Sequence, residues 1–77
     1  MKILIHNLVT DQYLADGGRW VQNISEARDF LQSSVALHYV STQELANVEL
    51  TYAFPDQQYN IHIPLGEPAL QPGQMEK

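Results

Sequence analysis

The chain has 77 residues, no cysteine, and nine acidic side chains against four basic ones, for a formal charge of −5. Without cysteine it has no disulfide, thiolate metal site or cysteine nucleophile, and an unbridged chain this small predicts a reducing, cytoplasmic setting. Its four cations, Lys2, Arg19, Arg28 and Lys77, are scattered, which argues against nucleic acid as a partner. No apolar run is long enough for a membrane span or a secretory leader.

Taken in chain order, residues 2–9 (KILIHNLV) read as a strand with apolar residues in both alternating sets, Ile3, Ile5 and Val9 on one side and Leu4 and Leu8 on the other. Such a strand is buried on both faces. A turn at Thr10-Asp11-Gln12 leads to a short strand at 13–15. Asp16-Gly17-Gly18 then predicts a tight hairpin turn, because Asp and Gly tolerate the positive φ that such turns require. The return strand, residues 19–22, is expected to set Trp20 opposite Tyr13 as a cross-strand aromatic pair. Asn23 stands three residues before Glu26, a capping-box spacing that predicts a first helix over about 24–31, with Ala27, Phe30 and Leu31 facing the core.

A second helix is predicted over 34–45, capped by Ser34 and carrying Ala36, Leu37, Val40 and Leu45. The alternation of Val35, Leu37 and Tyr39 also suits a strand, but twelve residues without Gly or Pro exceed a typical strand. Ser41-Thr42-Gln43-Glu44, itself spelled like a capping box, marks a kink or a new turn. Val48, Leu50, Tyr52 and Phe54 alternate with Glu49, Thr51 and Ala53 in a half-buried strand. Tyr59, Ile61 and Ile63 alternate with Asn60 and His62 in a last strand ended by Pro64. The expected architecture is one α+β domain over 1–64, an antiparallel sheet of four to five short strands with both helices on one face. Residues 65–77, with two Gly, two Pro and three large apolar side chains, read as a mobile tail, and Pro68 and Pro72 are spaced one residue too far for a PxxP ligand.

Chemical motifs are sparse. His6, His38 and His62 fall on three separate elements, with no i, i+4 pair and no HxH. Pairing of the first and last strands would bring His6 and His62 together for a metal or small ligand, with one carboxylate to complete the site. No nucleophile elbow, S-x-x-K or phosphate loop is spelled, and Gly17-Gly18 lacks the following Lys-Ser/Thr. The sequence therefore predicts neither catalytic residues nor a cofactor. Asp11, Asp16, Glu26, Asp29 and Glu49 suit an acidic inhibitor of a nucleic-acid-binding protein only if they form one continuous face.

Tyr13-Leu14, Asp16-Gly17, Trp20, Glu26-Ala27-Arg28 with Phe30, Ala36-Leu37 and Val48-Glu49-Leu50 together resemble a group of short, uncharacterised bacterial proteins. That group shares a tyrosine-leucine, Asp-Gly turn, tryptophan, acidic-alanine-arginine helix, phenylalanine pattern. The resemblance spans residues 3–54 and implies the order of elements, with no activity or site attached. Val21-Gln22-Asn23 departs from it, standing where a Thr and an Asp more often follow the tryptophan. The strand apolar on both sides leaves one sheet face uncovered by helices. Leu4, His6 and Leu8 on that face predict a protein interface, and a homodimer is the expected partner arrangement.

Overall fold

Ile3, Leu4 and Ile5 are all buried in β1 (Lys2–Asn7), the central strand of the sheet in the computed structural model, which describes residues 1–65. The strand ends two residues earlier than the apolar pattern suggests, because the Asn7 side chain takes over the following amides. Its Oδ1 accepts from the N–H groups of Val9 and Thr10 at 2.8 and 3.0 Å, and the Asn7 carbonyl accepts from Asp11. Leu8 and Val9 are therefore exposed in the turn, and Asp11 takes a left-handed φ of 61°.

The turn returns the chain into β2 (Gln12–Leu14), which pairs with β3 (Trp20–Val21) across a turn at Asp16–Gly18. Gly17 and Gly18 both have φ of 78°, and the Ala15 N–H donates to Arg19. The hairpin is where the Asp-Gly signal places it, but its loop is longer than a two-residue turn, and this changes the pairing. Trp20 lies opposite Leu14, and Tyr13 opposite Val21, so the expected Tyr13–Trp20 pair is split between the two faces.

The helix expected over 24–31 is absent. Asn23 Oδ1 does accept from the Ser25 N–H, but only one 3₁₀ turn follows (Ile24–Glu26), and Ala27 is already extended. Eight residues are too few to form a helix on their own, and the sheet edge offers the segment better partners. Arg28 N–H donates to Leu14, Phe30 N–H donates to Ile3, and Asp29 Oδ1 accepts from the Ile3 N–H at 3.0 Å. The segment thus continues the sheet edge beyond the end of β2 and drives Phe30 into the core, while Leu31 turns outward at a φ of 71°.

Among the described residues one α-helix, α1 (Ser33–Thr42), covers the sheet, so the expectation of two helices on one face gives way to one. Ser34 does not cap it; Gln32 holds the cap position and makes no side-chain cap bond. Ala36 is fully buried, with Tyr39, Val40 and Leu45 packed against Ile3, Ile5, Leu14, Phe30, Val48 and Leu50. The helix ends in a Schellman pattern. Leu45 N–H donates to Val40 and Glu44 N–H to Ser41, with Glu44 at a φ of 53° in the position that glycine usually fills.

β4 (Val48–Ala53) pairs antiparallel with β1 from Lys2↔Ala53 to Asn7↔Val48, and β5 (Ile61–Pro64) pairs with the far edge of β4. The result is a five-stranded antiparallel sheet in the order β3-β2-β1-β4-β5. β4 was expected to be half buried, yet Glu49, Thr51 and Ala53 are buried together with Val48 and Leu50. The sheet is therefore closed off on both sides of its two central strands. The tail predicted as mobile lies outside the described residues except for Leu65, which packs against the core. No helix among the described residues is long and apolar enough to cross a membrane.

Glu44 carries a Cβ in the left-handed region, a conformation that costs an L-residue roughly 1 kcal/mol or more. Glu44→Gly is expected to raise the unfolding free energy by about 1 kcal/mol, read from urea denaturation. A lower stability would place the helix end elsewhere.

Candidate functional site

The β1–β4 register puts His6 opposite Glu49 on the sheet face away from α1, and β2 sets Tyr13 opposite His6 on the same face. β5 places His62 opposite Thr51, two pairs along from Glu49 and so on the same face. His6 and His62 thus converge, although their strands do not pair: β4 lies between them and supplies the carboxylate. Glu49 Oε2 is 2.9 Å from His6 Nδ1 and 2.8 Å from His62 Nδ1. His6 Nε2 is 2.7 Å from Asp11 Oδ1, and Thr51 Oγ1 is 3.2 Å from His62 Nδ1.

The members differ in their access to water. Glu49 is 8% exposed, so its charge needs the contacts that surround it. The His62 side chain is 49% exposed and forms the open wall, whereas that of Asp11, at 87%, reaches in from the turn. That reach follows from the Asn7 side-chain turn and the left-handed backbone of Asp11. The Tyr13 ring stacks on His6, with centroids 4.6 Å apart and planes at 25°. Burial of the Tyr13 phenol raises its pKa above the ordinary 10.0, and the negative charges of Asp11 and Glu49 push it the same way.

Of the predicted interface residues, His6 belongs to this cluster. Leu4 is 0% exposed within the single chain and has no surface to offer a partner, because its face is already closed around it. Leu8 is 52% exposed, but in the turn rather than on the strand face. His38 is exposed on α1, away from the sheet strands that carry the other two histidines. Among the five acids considered as one face, Glu49 is buried, Asp29 accepts from Ile3 and Leu31, Asp11 contacts His6, and Asp16 approaches Arg28 at 4.0 Å. The Arg28 guanidinium carbon lies 4.4 Å from the Phe30 ring centroid, which spends that cation on packing.

Sequence reasoning missed Glu49 and Asp11 as partners of the histidines. Glu49 read as a polar outward residue, and only the strand order, with β4 between β1 and β5, reveals its position. A recess lined by Met1, Lys2, Ile24, Ala53, Phe54 and Pro55 lies toward the other end of the β1–β4 pair, and no member of the cluster lines it. Compared with known proteins, the chain matches no family model, no curated protein and no solved structure.

The raised Tyr13 pKa has a definite sign in stability. The folded state holds the phenol proton more tightly than the unfolded state, so the stabilisation is present below the unfolded value and is lost as pH rises through the folded value. The unfolding free energy of the wild type is expected to fall above pH ~10 more steeply than that of Tyr13→Phe, measured by denaturation across that range. Equal slopes would detach Tyr13 from the charges of Asp11 and Glu49.

Proposed function

We propose that this chain is a small non-enzymatic interaction protein that self-associates through the free edge of β5. The observation that carries the reading is the nature of that edge. β5 and the two-residue β3 are the edge strands of the sheet among the described residues; every residue of β5 is exposed, and Ile61 and Ile63 leave 49% and 38% of their surface open. Exposed edges are usually blunted by charges or bulges. Ile61-His62-Ile63 carries no Lys, Arg, Asp or Glu, and Tyr59 adds a further exposed ring just before it.

The favoured occupant is a second copy. An antiparallel β5–β5 pair uses the same edge on both partners, as a twofold dimer requires, and joins two sheets into one. This moves the expected dimer contact from Leu4, His6 and Leu8 to the sheet edge. The formal charge of −5 on each copy opposes the approach, so association should strengthen as salt screens it. A binding rather than catalytic role is supported by the cluster itself, whose one aliphatic hydroxyl, that of Thr51, belongs to a fully buried residue and contacts His62. The proposed setting is the cytoplasm, on the cysteine-free composition.

Sedimentation over a concentration series tests the reading. The wild type should show a monomer–dimer equilibrium that shifts toward dimer with added salt, and Ile61→Lys with Ile63→Lys should stay monomeric with an unchanged circular dichroism spectrum. If the double variant loses its fold, Ile61→Lys alone, at the more exposed position, makes the same distinction. A wild type monomeric at all soluble concentrations would overturn the proposal, as would a folded variant that still dimerises.

A further inference from the structure

We propose that His6, Glu49 and His62 bind one divalent transition-metal ion of the zinc class, independently of whether the chain associates. Three adjacent strands deliver the three ligand atoms, which all lie within 4.8 Å of one another on one sheet face. A zinc ion with bonds of about 2.0–2.2 Å spaces tetrahedral ligands about 3.3–3.6 Å apart. To admit one, the contacts of 2.9 and 2.8 Å from Glu49 Oε2 to the two Nδ1 atoms open by about half an ångström or slightly more, and the two histidine nitrogens, within 4.8 Å of each other, settle to the same spacing. His62, half exposed on the edge strand, is the ligand with room to move.

The hydrogen-bond chemistry of His6 favours a cation at this point. A neutral imidazole carries a single N–H, yet His6 has a carboxylate oxygen at each ring nitrogen. With the N–H at Nε2 directed to Asp11, Nδ1 presents its lone pair toward Glu49 Oε2, and two lone pairs at 2.9 Å need a proton or a metal cation between them. The same arrangement is what metal-bound histidines show, with the ring nitrogen remote from the metal held by a carboxylate that fixes the tautomer and raises the basicity of the ligand nitrogen. Asp11 is that carboxylate, held in place by the Asn7 turn.

The donor set selects the metal. Two imidazoles and one carboxylate suit zinc, cobalt, nickel or copper, whereas magnesium and calcium require shells made mainly of oxygen. Three protein ligands leave a fourth position for water or a small anion on the open side beside His62. Glu49 is consumed as a ligand in this arrangement and is not available as a general base.

The experiment uses the untagged full chain, titrated with Zn²⁺ by calorimetry and with Co²⁺ by visible absorption, whose intensity reports tetrahedral coordination. One ion per chain is expected, with intense cobalt bands, and excess Mg²⁺ should not displace it. His62→Ala, a substitution at a half-exposed position, should abolish binding, and Asp11→Asn, which touches no metal, should weaken it by about 10–100-fold. His38→Ala should bind like the wild type. The proposal is overturned if the wild type binds no zinc and the network is held by protons alone. It is equally overturned if His62→Ala binds normally, or if His38→Ala is the variant that loses the ion.

Discussion

The antiparallel ladder between β1 and β4 is the constraint from which the rest of the molecule follows. Six pairs, from Lys2↔Ala53 to Asn7↔Val48, join the two central strands, and a slip of one residue would turn every side chain to the opposite face. Burial on both faces fixes this register twice over. Toward α1 it aligns Ile3 with Tyr52 and Ile5 with Leu50; on the other side it aligns the fully buried Leu4 with the fully buried Thr51. A chain this short has little core to spare and no disulfide to assist it. Using both sides of its central strands is how it gathers enough apolar contact.

The same register creates the polar cluster. Because Ile5 must meet Leu50, His6 must meet Glu49, and a carboxylate is carried into a face that water barely reaches. Removing one partner from such a group is costly, since the buried charge is left uncompensated. The cluster therefore spans the sheet's structural and chemical roles: His6 and His62 stand in hydrogen-bond contact with Glu49, while β5, which brings His62, also supplies the exposed apolar edge. A change at β5 that alters association can thus also disturb the cluster, which is why the two proposals are tested through different side chains, Ile61 and Ile63 for one and His62 and Asp11 for the other.

Elements whose signals are local were legible in the sequence. The two-sided apolar pattern of β1, the Asp-Gly hairpin, the strands β4 and β5 and the helix over most of 34–45 appear where the pattern places them, although Tyr59 lies in a 3₁₀ turn before β5 and neither strand alternates in burial. What escaped depends on competition between distant segments. Residues 24–31 spell a helix, but the free amide and carbonyl of Ile3 at the sheet edge outcompete it, and nothing near Asn23 announces that edge. Tyr13 and Trp20 are separated by the extra loop residues of the hairpin. The approach of His6 to His62 was foreseen through the wrong geometry, a direct strand pair, because the strand between them comes from a part of the chain whose position is set by the β1–β4 ladder.

Solution NMR tests the β1–β4 ladder directly through cross-strand nuclear Overhauser contacts between the backbone protons of the two strands. From this register, contacts pairing Ile3 with Tyr52, Ile5 with Leu50 and His6 with Glu49 are expected. A pattern shifted by one residue, with His6 opposite Val48 or Leu50, would contradict it, since Glu49 would then face α1 and the cluster would not exist.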